Sequence, residues 1–400
     1  MTVNFEILSN EPIENVITCM HFKVDKVVYF GYHGMVQSMR ECTEAFLRKY
    51  CGVQTVVFHE LSRNDLQSVL NTMRKEIQYE LGRNSKIYFD ITGGASLILV
   101  AFGMLKNEFR VPMHIYDIPA DRLIELDEAP EKGISKELEA RKTDLDLEKY
   151  IEMRGGIINE KLYKSIKENL DDEFSSDVLR IWKVAGRYID CWNPFSEFLR
   201  RNMVPEDDLT VNRRMQAVLN ALSSSGTRLR TLKKLNKIVD DLAKEGILQK
   251  VVRTDDRYSF RFKNRLIKDC LWEGGSILEL YTFLTQKKDS EDCKAGVHLD
   301  WDGVIHPQRG IDVMNEIDVL SLKGNIPTFI SCKSGRMGAQ QTLHALYELD
   351  TVAKRFGGKY AKKVLVSAKD IKGVYLERAE EMGIEVRNVL QNDKKKSRKS

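Results

Sequence analysis

The sequence predicts an α/β protein of more than one domain, and three observations carry that reading. Through the first 120 residues, apolar runs of strand length alternate with segments of helical periodicity, the pattern of a parallel sheet with helices on both faces. Around residues 228–262 a basic helix is followed by a basic hairpin. Near residues 313–336 a second, apolar-rich hairpin carries two acids and a lysine. At 400 residues the chain is long for one core, so two or three domains are expected. The expected divisions are 1–145, a connector at 146–270, 271–391, and a basic disordered tail at 392–400.

Composition narrows the class. A hydrophobic fraction of 42% with 30% charged residues is ordinary for a soluble globular protein, and a net charge of +4 is too mild to imply nucleic acid by itself. Seven cysteines (Cys19, Cys42, Cys51, Cys191, Cys270, Cys293 and Cys332) form no C-x-x-C pair and read as packed thiols of a cytoplasmic protein. The amino terminus lacks a charged region followed by an apolar run, and no stretch of 18 apolar residues suggests a membrane span.

Taken in order, the first domain reads as strands at 3–8, 26–30, 53–58, 86–91 and 111–116. Helices are expected after Pro12, at 35–50, at 64–81 and at 95–106. In doubly wound sheets ligands bind at the carboxyl ends of the strands. Three loops fall there: Ser9-Asn10-Glu11-Pro12, Gly31-Tyr32-His33-Gly34, and Asp90-Ile91-Thr92-Gly93-Gly94-Ala95-Ser96. The last runs straight into a helix. Gly93 and Gly94 permit close backbone approach, and the helix amino terminus favours a phosphate. Taken alone, such a turn reads first as a tight strand-to-helix connection with Thr92 as its cap, and Tyr32 and His33 have a competing role as core or turn residues.

Residues 121–150 mix acidic and basic side chains and read as a solvated linker or exposed helix. The aromatics of the next segment (Trp182, Tyr188, Trp192, Phe195, Phe198) stand at helical spacing and read as core. The helix and hairpin at 228–262 have the layout of a winged helix. A DNA-holding role competes there with a packing role, and Asp240, Asp241 and Glu245 among the lysines favour packing.

In the last domain Glu279 lies in an apolar helix after Gly274-Gly275. The hairpin follows, with turn signals at Lys323, Gly324, Asn325 and Pro327. Strand alternation puts Glu316 and Asp318 on one face of the first strand, and Ser331 and Lys333 on one face of the second. Two acids beside a lysine suit a divalent metal and a phosphate, because hard cations take oxygen ligands; a surface hairpin with solvated charges is the plain alternative. Gln340 and Gln341 begin the following helix. A strand at 363–367, a helix to Met382 and a strand at 385–389 complete an α/β core.

Two resemblances add to this. ILSNEPIENV, YFGYHG and FDITGGAS, over about the first 130 residues, resemble a CARF domain, the Rossmann-like sensor of CRISPR ancillary proteins. The hairpin, with NEIDV and Ser331-Cys332-Lys333, resembles the core of the PD-(D/E)xK nucleases, and with Gly274-Gly275 and Glu279 it resembles the nuclease half of CARF-fused effectors over about 271–390. One departure stands out: Ser331 occupies the position where that family usually has Asp or Glu, so Glu316 is the candidate to supply the carboxylate. The resemblance implies a cytoplasmic homodimer that binds cyclic tetra-adenylate through Ser9, Asn10, Gly31, Tyr32, His33, Thr92, Gly93, Gly94 and Ser96. It also implies Mn²⁺ or Mg²⁺ held by Glu279, Glu316, Asp318 and the Cys332 carbonyl, with Lys333, Ser331 and Gln340 at the reacting centre. The implied activity is metal-dependent cutting of single-stranded DNA or RNA and nicking of supercoiled DNA in type III CRISPR antiviral defence. A ring-responsive transcription regulator using the winged helix, and a sensor that degrades its own ring, remain open alternatives.

Overall fold

The computed structural model describes residues 1–21, 23–126, 136–137, 144–159, 171–224, 229–273, 276–304 and 314–390. Gly274, Gly275, Val313 and the basic tail lie outside the described residues, as does most of the charged stretch at 127–143.

The first unit runs β1 (Thr2–Ile7), α1 (Pro12–His21), β2 (Lys26–Tyr32), α2 (His33–Phe46), β3 (Thr55–Leu61), α3 (Leu66–Gly82), β4 (Lys86–Asp90), α4 (Ser96–Phe109) and β5 (Met113–Asp117). Its strands form one sheet in the order β3-β2-β1-β4-β5, all parallel. The order reverses between β1 and β4, so the crevice for a ligand opens at the carboxyl ends of those two strands. Apolar runs such as Val27–Phe30 are fully buried, as expected of strands covered on both faces. Two strands extend this sheet beyond the expected series. β6 (Arg122–Leu126) and β7 (Lys136–Glu137) add antiparallel at the β5 edge, inside the stretch that reads as linker.

The connector holds α5 (Leu147–Glu152), β8 (Ile157–Ile158), α6 (Asp172–Arg187) and α7 (Ile189–Asn202). It continues through β9 (Thr210–Arg214), α8 (Met215–Ser224), α9 (Leu232–Lys244), β10 (Leu248–Arg253), β11 (Arg257–Phe262) and α10 (Arg265–Trp272). The sheet order β10-β11-β9 around α8 and α9 is a winged helix. The acids of α9 are spent internally: Asp240 pairs with Arg253, Asp241 with Arg187 and the Tyr188 hydroxyl, and Glu245 with Lys183. Lys233 and Lys237 are left on its exposed face. Trp182, Trp192, Phe195 and Phe198 are core, as expected, and Tyr188 packs against that core.

The last unit comprises α11 (Ser276–Lys287), β12 (Asp292–Asp300), β13 (Met314–Lys323), β14 (Ile326–Lys333), α12 (Ala339–Gly357), β15 (Lys362–Ser367), α13 (Gly373–Glu381) and β16 (Ile384–Asn388). Its sheet order is β16-β15-β14-β13-β12-β8, with β14, β15 and β16 parallel and the rest antiparallel. The connector strand β8 therefore edges this sheet. One apolar core joins Leu235 and Phe260 of the winged helix to Ile277, Val319 and Cys332. A second joins Ile13 and Ile17 of α1 to Phe329, Leu346 and Phe356. The second sheet is thus packed between the winged helix on one side and the first unit on the other. Among the described residues, no helix is long and apolar enough to cross a membrane.

Candidate functional site

The hairpin of β13 and β14 pairs from Lys323↔Ile326 up to Val319↔Ile330. Just beyond that pair the Asp318 side chain turns into the ladder. Its Oδ2 accepts the Cys332 backbone N–H at 2.6 Å and the Ser331 hydroxyl at 3.2 Å. A carboxylate that takes a main-chain donor is fixed in place more firmly than one held by side chains alone. Burial pushes the Asp318 carboxyl above its ordinary range, Glu316 adds to the rise, and the Cys332 N–H and Lys333 oppose it. Ser331 is therefore not idle: its hydroxyl braces the carboxylate seated in the fork.

The remaining expected residues are placed less uniformly. Lys333 is partly buried and forms no ion pair among the described residues. Glu316 is about half exposed, and the His298 ring stands 3.9 Å from it across the β12 pairing. Alternation sends the Cys332 thiol to the opposite face from Ser331 and Lys333. There it is buried in the core against α11, and its pKa is raised well above the ordinary value by burial, with Asp318 and Glu279 adding to the rise. Glu279 stands in the first turn of α11, on the Cys332 side of the sheet. The structure thus brings Asp318, Ser331 and Lys333 together, keeps Glu316 at the rim, and sets Glu279 behind them.

Lys333 opens onto a cleft of about 900 Å³ lined also by Arg336, Gln340, His344, Tyr347 and Glu348. Gln340 lies in the first turn of α12, a 19-residue helix whose amino-terminal dipole favours an anion. A second cavity of about 400 Å³ adjoins it through Arg336 and is lined by Lys369, Lys372 and Tyr375. Arg336 and Lys372 form no ion pair among the described residues, whereas Lys369 is paired with Asp190 and Asp370 also lines the second cavity, so the two hollows join past Lys333 with Arg336 and Lys372 as their unpaired cations. Strand spacing did not reveal Arg336 or His298. The basic run in Lys333-Ser334-Gly335-Arg336 was the available signal for the first.

In the first unit, the three expected loops meet at the switch point. Gly31 and Tyr32 end β2, and its backbone packs against Leu8 where β1 ends. Gly94 has φ +111° and a Cβ there would sit 2.0 Å from Ile7; only glycine lets the loop lie this close. The Thr92 hydroxyl donates to Asp90 at 2.5 Å and accepts the Tyr116 N–H at 2.9 Å. Ser9 is buried, while Asn10, His33 and Ser96 are exposed. His33 Nδ1 lies 2.7 Å from Glu60. Arg63, in the loop after β3, stacks over the Tyr32 ring at 5.2 Å. It is the exposed cation at this crevice that the sequence reading missed, because a pairing between residues 32 and 63 leaves no local pattern.

Among the described residues no group of three or more His, Cys, Asp or Glu side chains is gathered to hold a metal ion. The donor set fits a cation of the Mg²⁺ or Mn²⁺ kind in a narrower sense. Such ions are often held by one or two carboxylates together with waters and substrate phosphate, and Asp318 with the Ser331 hydroxyl offers oxygen donors only.

Residues 269–396 match the family model of the Card1-like endonuclease domain. No curated protein matches the chain. Among solved structures, protein VC1899 from Vibrio cholerae superposes with TM-score 0.71 at 16% identity, covering 98% of this chain and 96% of that one. Can2 from Sulfobacillus thermosulfidooxidans, solved with cyclic tetra-adenylate, gives TM-score 0.65 at 13% identity, covering 98% and 96%. A type III CRISPR defence DNA nuclease activated by cyclic oligoadenylate gives TM-score 0.51 at 15% identity; the match covers 95% of this chain but only 51% of that one. At these identities the likeness establishes fold. Residues 269–396 thus match a Card1-like endonuclease domain, carried in a chain whose fold is similar to that of these solved structures.

Proposed function

We propose that this chain is a ring-gated endonuclease: cyclic tetra-adenylate at the switch-point crevice activates metal-dependent cutting at the Asp318–Lys333 fork. The observation that carries the reading is the seating of Asp318 against Ser331 and Cys332, with Lys333 on the adjacent cleft, inside a Card1-like endonuclease domain. Mn²⁺ or Mg²⁺, when bound, would polarise a scissile phosphate and lower the pKa of a bound water. The chain's own residues do the rest. Asp318 presents the carboxylate, held by the Cys332 N–H. Lys333 steadies the negative charge that develops on the phosphate. The α12 amino terminus, Gln340 and Arg336 steer the strand into the cleft.

The substrates are single-stranded DNA or RNA and supercoiled DNA, which is nicked, in cytoplasmic type III CRISPR antiviral defence. A homodimer fits the sensor. Val100 and Met104, one turn apart on α4, are 52% and 49% exposed, an apolar strip beside the candidate ring loops. At that crevice Arg63 and the α4 amino terminus are suited to ring phosphates. The test is cleavage by the full chain with Mn²⁺, with and without the ring: ring-dependent cutting that Lys333→Ala abolishes while ring binding persists supports the reading. Normal cutting by Lys333→Ala would sink the site assignment.

One observation favours a second reading, a ring-responsive regulator. The winged helix is real in topology, and its acids are paired within the connector. That reading expects metal-independent duplex binding and no cleavage.

A further inference from the structure

We propose that ring occupancy reaches the nuclease cleft through two polar links, Ser9–Glu14–Tyr360 and Thr92–Tyr116–Asn325, which make Tyr360 and Asn325 positioning residues for the cleft. The inference rests on the ring-gated reading and specifies its regulation.

The first link starts at the end of β1. The Ser9 hydroxyl donates to Glu14 Oε2 at 2.6 Å, and the Glu11 N–H donates back to Ser9 Oγ at 3.1 Å. Glu14 is buried, and its other oxygen accepts the Tyr360 hydroxyl at 2.7 Å. Lys359 forms an ion pair with the same carboxylate, and its backbone N–H donates to Glu11 at 2.9 Å. Glu11 is further paired with Arg154. The Gly93 backbone lies on Glu14 so closely that a Cβ would meet its Oε2 at 2.2 Å. Two of the candidate ring loops therefore touch one buried carboxylate, and that carboxylate grips the turn joining α12 to β15.

The second link starts at the end of β4. Thr92 Oγ1 accepts the Tyr116 N–H at 2.9 Å. The Tyr116 hydroxyl donates to Asp121 at 2.5 Å and accepts from Asn325 Nδ2 at 3.1 Å. Asn325 is fully buried and also donates to Asp121 at 2.5 Å. It sits in the two-residue turn of the β13–β14 hairpin.

Both turns lie at the end of the second sheet away from the cleft, on elements that reach it. From the 358–360 turn, α12 runs roughly 28 Å back to Gln340, and β15 ends with Ser367 in register with Lys333. From Asn325, β14 runs roughly 20 Å to Ser331. Helices and paired strands transmit displacement because packed cores do not deform continuously. A buried carboxylate with donors from both units resists partial loosening, since an unpaired buried charge is costly. A shift of the ring loops thus moves the far ends of α12 and of the hairpin, and with them Gln340, Lys333 and Asp318 relative to one another.

The test uses the full chain, Tyr360→Phe, Asn325→Ala and the double variant, with cyclic tetra-adenylate, Mn²⁺ and labelled single-stranded DNA. Ring affinity, ring-free cutting and ring-saturated cutting are measured separately. We expect ring affinity and ring-free cutting to hold in Tyr360→Phe, which removes one hydroxyl. The ratio of ring-saturated to ring-free kcat should fall about tenfold, and further in the double variant. A general loss of stability would lower both rates and leave their ratio unchanged. An unchanged ratio in the double variant overturns the inference and leaves the ring-gated reading standing. A wild-type chain that binds the ring yet cuts equally with and without it overturns both.

Discussion

The two candidate sites are built in opposite ways. At the switch-point crevice the polar side chains closest to the loops are already committed. Ser9 is bonded to Glu14, Thr92 to Asp90 and Tyr116, and His33 to Glu60. At the hairpin fork, Lys333, Arg336 and Gln340 face an open cleft, while Asp318 and Ser331 are tied to each other and to the Cys332 N–H. A site whose groups are bonded into the protein senses by displacing structure. A site whose cations stand free acts by receiving an anion. The difference predicts that substitutions at the crevice will disturb both affinity and coupling, whereas substitutions at the fork will remove chemistry and leave the rest intact.

The largest expected effect sharpens the catalytic side. Lys333→Ala should lower ring-saturated cutting by about 10²–10³-fold, the usual loss for one charge-stabilising donor. Its thermal midpoint and ring affinity should be unchanged; a shift in ring affinity would show that the two sites are not separable in this way. Next comes Arg63→Ala, which removes an exposed cation without breaking a bond inside the sensor. Ring affinity should weaken about tenfold or more, measured by titration calorimetry, with ring-free cutting unaffected. Thr92→Ala should weaken ring affinity too, but with a lowered midpoint, because it severs the bonds to Asp90 and Tyr116. Equal affinities for wild type and Thr92→Ala would remove that loop from the binding site.

A smaller change tests the departure at the fork. Ser331→Glu sets a second carboxylate opposite Asp318, and the Mn²⁺ concentration giving half-maximal cutting should fall several-fold, because carboxylates bind hard cations better than hydroxyls do. An unchanged or higher Mn²⁺ requirement would mean that the serine is part of a different arrangement.

The smallest effect is on stability alone, and it belongs to the sensor. Glu76 is held down to about 2 by hydrogen bonds to His59 and Lys26, against burial. A depressed acid adds stability above its ordinary pKa of about 4.5 and loses it as pH falls from there towards 2. Urea unfolding should therefore show wild type losing on the order of 2 kcal/mol more than Glu76→Gln between pH 5 and pH 2.5. A parallel loss in both proteins would contradict it.

The same contrast governs what the sequence made legible. The sensor strands read clearly because parallel strands buried on both faces are continuous apolar runs, as in Lys26–Tyr32. The fork read clearly because Asp318, Ser331 and Lys333 are close in sequence and alternate on neighbouring strands. β6 went unread because RLIEL lies in a charge-rich stretch, and β9 because TVNRR is short and polar. β12 was missed where Gly296, at φ +64°, interrupts the alternation of DCKAGVHLD. Glu279 satisfied a motif position, yet which face α11 covers is settled by packing and no local spacing encodes it. The bonds between Glu14 and Tyr360, and between Tyr116 and Asn325, join residues hundreds of positions apart. Asn325 read only as a turn signal and Glu14 carried no signal of its own, yet the fold buries both.

One measurement bears most directly on the ring-gated reading: cleavage of labelled single-stranded DNA, single-stranded RNA and supercoiled plasmid with Mn²⁺, with and without cyclic tetra-adenylate. Cutting that the ring raises strongly, and that Lys333→Ala lowers by about 10²–10³-fold, is the predicted result and names the substrate at once. Intact substrates in every lane, with the ring bound, would contradict the account and turn attention to the winged helix.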